Sequence, residues 1–267
     1  MSALRRLELL SVRVSVSVSA RVGAALGAAL LLLAGTLAPA RAVVGGAPET
    51  GPLAASTLMI LSSSGGACSG VVLAPDVVLT AAHCVTEADA HRAHWRDPAG
   101  APVLAAIAAI AVHPGYDPDA IAARRRSIDL ALVRLAAPLP SPFRPATLLG
   151  ANAGAGEALD LVGYGVAQEG EAGRLTGGTL RRARLSVVEP YGPSSILVWL
   201  AGADAGGCHG DSGGPIARAD AVLAVTSWTR GTNGAECGDI SQGVLVGPQR
   251  GFIDATLAGW GRGAAWR

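Results

Sequence analysis

The sequence predicts an all-β protein in two units, followed by one C-terminal helix. Three observations carry this. After residue 42 the apolar runs are short and bounded by turn residues, at intervals typical of all-β domains. Glycine is abundant, at 36 of 267 residues, while aromatics make up only 4%, which favours turns and short strands over long helices. A proline-rich stretch with little periodicity, 137–150, divides the strand-like runs into two groups.

The elements follow in order. Residues 1–42 are unlike the rest. Arg5, Arg6, Arg13 and Arg21 precede the apolar run Val22–Leu33, and Ala40 and Ala42 then form an A-x-A site. Basic, then apolar, then small is the pattern of a cleaved secretory signal peptide. A membrane anchor is the alternative, but the run is short for a spanning helix. Arg5–Arg6 faintly resembles a twin-arginine signal, so the export route stays open. Export places the mature chain outside the cell or in the periplasm.

The first unit, 43–140, holds "STLMIL", "SGVVLAP", "DVVLTAA", "VLAAIAAIAV" and "LALVRL". The alanine-rich run suits a helix on propensity alone, although Pro102 and Pro114 flank it. The second unit, 141–267, holds "ALDLVGYG", "RRARLSVV", "SILVWLA", "AVLAVTSW" and "QGVLVGP". From about Gln249 to Trp260, Phe252, Ile253 and Leu257 share one side of a helix.

Charge and cysteines narrow the function classes. All 21 cations are arginine, and 43–267 carries sixteen of them against nineteen acidic residues, a net charge of −3. That balance gives no reason to expect nucleic acid or an anionic membrane as partner. Cys68, Cys84, Cys208 and Cys237 are even in number, which suits disulfides in an oxidising compartment, and four cysteines allow three pairings. The C-x-x-C and C-x-x-H spacings of zinc sites are absent from the sequence, so no metal site is expected. His91 and His94 read as a solvated loop, and "RRR" at 124–126 as an exposed loop before a buried strand.

Three segments carry chemistry: "TAAHC" (80–84), "IDLALVRL" (128–135) and "CHGDSGGP" (208–215). A serine hydroxyl is a poor nucleophile unless a base takes its proton and a third group orients that base. "GDSGG" alone also fits the α/β-hydrolase elbow, but that fold places its histidine after the serine. All five histidines here precede Ser212. A subtilisin order needs an aspartate before the histidine, and only Asp76, beside Pro75, lies between residue 43 and His83. The order His83, Asp129, Ser212 remains.

Together, "VVGG", "TAAHC", "DLALVRL", "GDSGGP" and "SW" (227–228) resemble the trypsin/chymotrypsin family of serine proteases, over residues 43–260. The resemblance implies two antiparallel six-stranded Greek-key β-barrels with the active site between them. It implies Ser212 as nucleophile, His83 as general base and then acid, and Asp129 as the group orienting the imidazole. The N–H groups of Gly210 and Ser212 would form the oxyanion hole, and Ser227 would hydrogen-bond Asp129. The implied disulfides are Cys68–Cys84 and Cys208–Cys237. Asp211 would pair with the free ammonium of Val43, the residue that signal cleavage after Ala42 would expose. Gly206 would form the floor of the substrate pocket, with Ser227, Trp228, Thr229 and Gly243 around it. Glycine at 206 offers no anion for a Lys or Arg side chain, although Asp204 and Asp239 lie near. Small to medium apolar side chains are expected at the cleaved position. The implied protein is a secreted, monomeric serine endopeptidase without metal or organic cofactor. It would act on protein or peptide substrates, be open to protein protease inhibitors, and have no nucleic-acid or, after signal cleavage, membrane partner. The alternative is a catalytically silent homologue serving as a binding scaffold.

Overall fold

The computed structural model describes residues 43–86, 90–120, 122–123, 125–170 and 176–267. The signal-peptide expectation for 1–42 lies outside them. The first strands are β1 (Ala47–Pro48), β2 (Thr57–Ser62), β3 (Ala67–Ala74), β4 (Val77–Thr80), β5 (His91–Arg96), β6 (Pro102–Val112) and β7 (Ala131–Leu135). Of these, β2-β3-β4-β7-β6-β5 close into an antiparallel barrel through β2–β5 pairing.

After the proline-rich stretch come β8 (Thr147–Leu148), β9 (Ala158–Gly163), β10 (Arg181–Val188), β11 (Leu197–Ala201), β12 (Pro215–Arg218), β13 (Ala221–Arg230) and β14 (Ile240–Leu245). The second barrel runs β12-β9-β10-β11-β14-β13 and closes by β12–β13 pairing. Closure removes the exposed edges that open sheets must otherwise protect. Helix α1 (Arg250–Gly259) and the short β15 (Ala265–Trp266), which runs parallel to β8, complete the chain. Among the described residues no helix is long and apolar enough to cross a membrane.

One local expectation changes, and one reading left open by propensity resolves. The alanine-rich run, placed among the strand-like runs, is strand β6. It pairs on one side with β5 and on the other with β7, and Val103, Ala105, Ile107 and Ala109 are the less exposed set, alternating with outward Leu104 and Ile110. Ladder pairing on both sides outweighs the helical preference of alanine. His91 and His94 are not in a solvated loop. Both lie on β5, where His91 is buried and His94 Nδ1 is 2.8 Å from the Val103 carbonyl oxygen. Three residues apart on a strand, they face opposite sides and cannot share one ion.

The barrels share a core. Val71, Leu73, Leu79, Leu130 and Leu132 from the first pack with Leu148, Val162, Val222 and Val225 from the second. Ile253 and Leu257, one helical turn apart, add α1 to the same cluster. The helix stops where Gly261 takes a φ of +70°, with Gly261 N donating to Ala258 O and Arg262 N to Leu257 O. This is the hydrogen-bond pattern that lets a left-handed residue end a helix, and glycine takes that conformation without a Cβ penalty.

That stop delivers Arg262 to the first barrel. Its Nε and Nη2 reach the two carboxylate oxygens of Asp76, in the β3–β4 turn, at 2.7 and 3.0 Å, and Arg134 Nε is 3.4 Å away. Burial alone would raise the Asp76 carboxyl, but hydrogen bonds and charges from Arg262 and Arg134 outweigh it and hold it below the usual aspartate value. A carboxyl lowered in this way stabilises the fold above pH ~4 and loses that contribution as pH falls. Replacing Asp76 by Asn should therefore cost about 2 kcal/mol at neutral pH. The melting temperature should fall by roughly 4–8 °C for a domain of this size. The difference from the parent should shrink toward pH 3, as read by calorimetry.

Candidate active site

His83 sits in the 3₁₀ turn Ala82–Cys84 just after β4, and Asp129 just before β7. Both belong to the first barrel. Ser212 lies in the turn before β12 and Ser227 on β13, both in the second. All four line one cleft of about 1210 Å³.

Asp129 is buried, and three donors converge on it. The His83 backbone N–H reaches Oδ1 at 2.9 Å, while His83 Nδ1 and Ser227 Oγ reach Oδ2 at 2.7 and 2.6 Å. Burial pushes the carboxyl up, but the hydrogen bond and charge of His83, with Ser227, pull it below the ordinary value, so it stays ionised at neutral pH. The backbone bond fixes the residue and the side-chain bond fixes the ring, so one carboxylate orients the imidazole twice over.

Cys68–Cys84 closes a disulfide at 2.04 Å beside these groups. Cys84 Sγ stands 3.6 Å from His83 Nε2 and 3.8 Å from the Ser212 carbonyl oxygen, so imidazole and serine backbone share one neighbour. Cys68, His83 and Cys84 cluster closely enough to suggest a metal site. With both sulfurs bonded to each other, the thiolates such a site needs are not available. The second disulfide, Cys208–Cys237, ties the turn before Ser212 to the loop after β13.

The turn itself is shaped by glycine and held by serine. Gly210 has a φ of +100°, a region that favours glycine. Among the described residues, the N–H groups of Gly210 and Ser212 have no internal acceptor. From the first barrel, Ser69 N donates to Ser212 O at 2.7 Å and Ser69 Oγ to Gly210 O at 2.8 Å, while Ser69 Oγ accepts from Tyr164 N at 3.0 Å. Thr80 Oγ1 in turn donates to Ser69 O. A Cβ on Gly213 would collide with Ser69 O and Thr80 Oγ1, so the second barrel approaches this seam as backbone only.

Asp211 points away from the cleft and is fully buried. Its Oδ1 accepts from Gly165 N at 2.8 Å and its Oδ2 from Cys208 N at 2.9 Å. Gly163 and Gly165 make room for it, since a Cβ on either would strike the carboxylate. Burial raises the carboxyl to about 7, against the lowering pull of the two N–H groups and of Arg181. Val43 is also buried, packed with Leu159, Leu161 and Ala183. Its neighbour Val44 accepts a 3.0 Å hydrogen bond from Gly206 N. Glu49, which pairs with Arg182 Nε at 2.5 Å, anchors this segment to β10.

The expected pocket residues separate into two groups. Ser227, Trp228 and Thr229 line the cleft, joined by Gln242 and Ala235. Gly206 and Gly243 lie behind that lining. A Cβ on Gly206 would come 2.8 Å from the Gly238 backbone carbon, and one on Gly243 would come 2.5 Å from Ile216 Cδ1. Thr229 Cγ2 covers Gly207, at 2.8 Å from a Cβ placed there, and Thr229 Oγ1 donates to Glu236 O. Asp204 is exposed, and Asp239 lies 3.9 Å from Arg230. Sequence reasoning missed Ser69, Thr80, Gln242 and Arg181. Only the two glycines of "GYG" (163–165) gave a readable sign that something approaches closely there.

Comparison with known proteins places this fold. The trypsin family profile matches residues 43–245. Trypsin iota of Drosophila melanogaster is 26% identical over 233 residues, covering 79% of this chain and 86% of that protein. Trypsin CFT-1 of Choristoneura fumiferana is 31% identical over 186 residues, covering 61% and 69%. Among solved structures, mouse neuropsin, a serine protease, superposes with a TM-score of 0.65 at 21% identity, over 80% of this chain and 99% of that one. A mutant of human heparin binding protein gives 0.65 at 23%, over 81% and 97%. With two closed six-stranded barrels, a single C-terminal helix among the described residues and a match over most of its length, the chain belongs to the trypsin family of serine proteases.

Proposed function

We propose that this chain is a secreted serine endopeptidase that cleaves peptide bonds through His83, Asp129 and Ser212 and an acyl-enzyme intermediate. The observation that carries the reading is the convergence in one cleft of an oriented imidazole and a serine, on a turn whose Gly210 and Ser212 N–H groups have no internal acceptor among the described residues. Ser212 Oγ attacks the scissile carbonyl carbon while His83 Nε2 takes its proton. Asp129 stabilises the imidazolium that forms. The oxyanion is received by the N–H groups of Gly210 and Ser212, each worth roughly 3–4 kcal/mol of transition-state stabilisation. The imidazolium then protonates the leaving amine, and water repeats the sequence to release the acid. Trp228 and its neighbours on β13 offer backbone to the substrate strand.

The substrate side chain meets a shallow pocket. Thr229 lies over Gly207, and Gly206 rests against Gly238, which supports a preference for small to medium apolar residues. Glycine at 206 supplies no carboxylate there for a cationic side chain.

Activation is assigned to Val43. A valine at φ +48° is strained, by about 1–3 kcal/mol. That torsion exists only while Val43 is joined to Ala42. Cutting the bond relieves it and creates a buried ammonium, which the family resemblance pairs with Asp211. Signal cleavage after Ala42 would do both at once.

Three outcomes are expected. A fluorophosphonate should label Ser212 in protein beginning at Val43, and Ser212→Ala should abolish labelling; a failure to label the parent protein would leave only the silent-scaffold reading. In a peptide library, cleavage after Ala, Val or Leu should exceed cleavage after Lys or Arg by at least about 100-fold, and Thr229→Gly should raise acceptance of larger residues about tenfold. Finally, a raised carboxyl destabilises the fold as pH climbs from its unfolded value to its folded one. Chain retaining residues before Val43 should therefore lose stability to urea between pH 3.8 and about 7. Asp211→Asn should remove that slope.

A further inference from the structure

Arginine is almost never buried unless it is paired, yet Arg181 is only 6% exposed. Its place in the sheet sets one of the charges it faces. In the antiparallel β9–β10 pair, Arg181 stands directly opposite Gly163. Residues opposed in this way project to the same face with Cβ positions about 5 Å apart. Gly163 is the residue whose missing side chain leaves room for Asp211 Oδ1. The Arg181 side chain therefore leaves the sheet on the Asp211 side.

The adjacent Arg182 turns to the other face, toward Glu49 and Asp160. Arg181 Nη1 donates to Thr176 O at 3.2 Å, which fixes the head group. The two charges act on each other: Arg181 pulls the Asp211 carboxyl down, and Asp211 pushes the guanidinium up, each against its own burial. Among the described residues next to Asp211 and Gly165 in the chain, none competes: Tyr164 sends its hydroxyl to Thr57 O, His209 turns outward to Glu236, and Cys208 is in a disulfide.

We propose that Arg181 is a built-in counter-cation of Asp211 and a positioning residue for the Gly210–Ser212 turn while Val43 is still joined to Ala42. This rests on the protease reading given above. In that state Gly210 already has its φ of +100°, and Asp211 N and Gly214 N already donate to Cys208 O and Asp211 O. Freeing Val43 then raises an existing activity instead of creating one.

The test compares chain beginning at Val43 with chain beginning at Ala42, each start verified by mass spectrometry. The rate of fluorophosphonate labelling of Ser212 is measured from pH 5 to 9. The Ala42 form should label measurably. Arg181→Met should slow it about tenfold or more at pH 7 and move its pH dependence to higher pH, because Asp211 loses a cation. The Val43 form should change by less than about threefold, and Arg181→Lys should restore most of the loss. Equal slowing of both forms with an unmoved pH profile would reduce Arg181 to a scaffold residue and overturn the proposal. So would an Ala42 form indifferent to Arg181→Met. Infrared titration of the Asp211 carboxyl in the Ala42 form gives a readout without activity: Arg181→Met should move it upward, and an unmoved titration overturns the proposal. A Val43 form that never labels would instead defeat the protease reading, and the infrared result would still decide the role of Arg181.

Discussion

A carboxylate without exposed surface sits directly beneath the turn that carries Ser212, and its burial constrains everything near it. Asp211 has exchanged water for two backbone N–H groups and the charge of Arg181. Two glycines, at 163 and 165, are there because any side chain would strike it. The N-terminal segment is brought alongside by Val44–Gly206 pairing and by Glu49 gripping Arg182. A buried charge is costly unless paired, so the conformation of the turn is bound to the supply of positive charge behind it. The chemistry on one side of the turn and the electrostatics on the other are held by the same few peptide groups.

The second constraint is registration across the seam. Each barrel closes on itself, yet the cleft needs His83 and Asp129 from one and Ser212 and Ser227 from the other. Ser69 supplies that registration with three hydrogen bonds, two of them to the turn around Ser212. Tyr164 adds a link by donating from its hydroxyl to Thr57 O at 3.2 Å. At the back of the molecule, Arg262 and Asp76 join the same two halves. Ser227 completes the seam by bonding Asp129 from the opposite barrel.

Much of this was legible in the sequence because it rests on local pattern. The strand runs, the two-unit division and the terminal helix follow from periodicity and punctuation. The short motifs around His83, Asp129 and Ser212 imply chemistry by residue type and order. What was not legible depends on partners far apart in the chain. Nothing near Ser69 signals that it will meet Gly210, 141 residues away. Adjacent Arg181 and Arg182 look alike in sequence, and only strand register sends one to Asp211 and the other to Glu49. The alanines of β6 suit a helix on propensity alone, and only pairing with β5 and β7, a tertiary property, decides for the strand. Gly206 and Gly243 follow from the family resemblance, which does not reveal which way an absent side chain would point.

Glu236 fastens the rim of the cleft at three points. Its N–H donates to Glu169 Oε1, its carbonyl accepts from Thr229 Oγ1, and its carboxylate lies 2.9 Å from His209 Nε2. All three attachments lie at the surface, outside both barrel cores. Even so, the mouth of the cleft is not independent of what it surrounds: the same loop is bonded through Cys237 to Cys208, before Ser212, and through Glu236 to Thr229 on the strand that carries Ser227. A change in what enters the cleft is therefore transmitted, through one covalent bond and one strand, to the turn that carries Ser212.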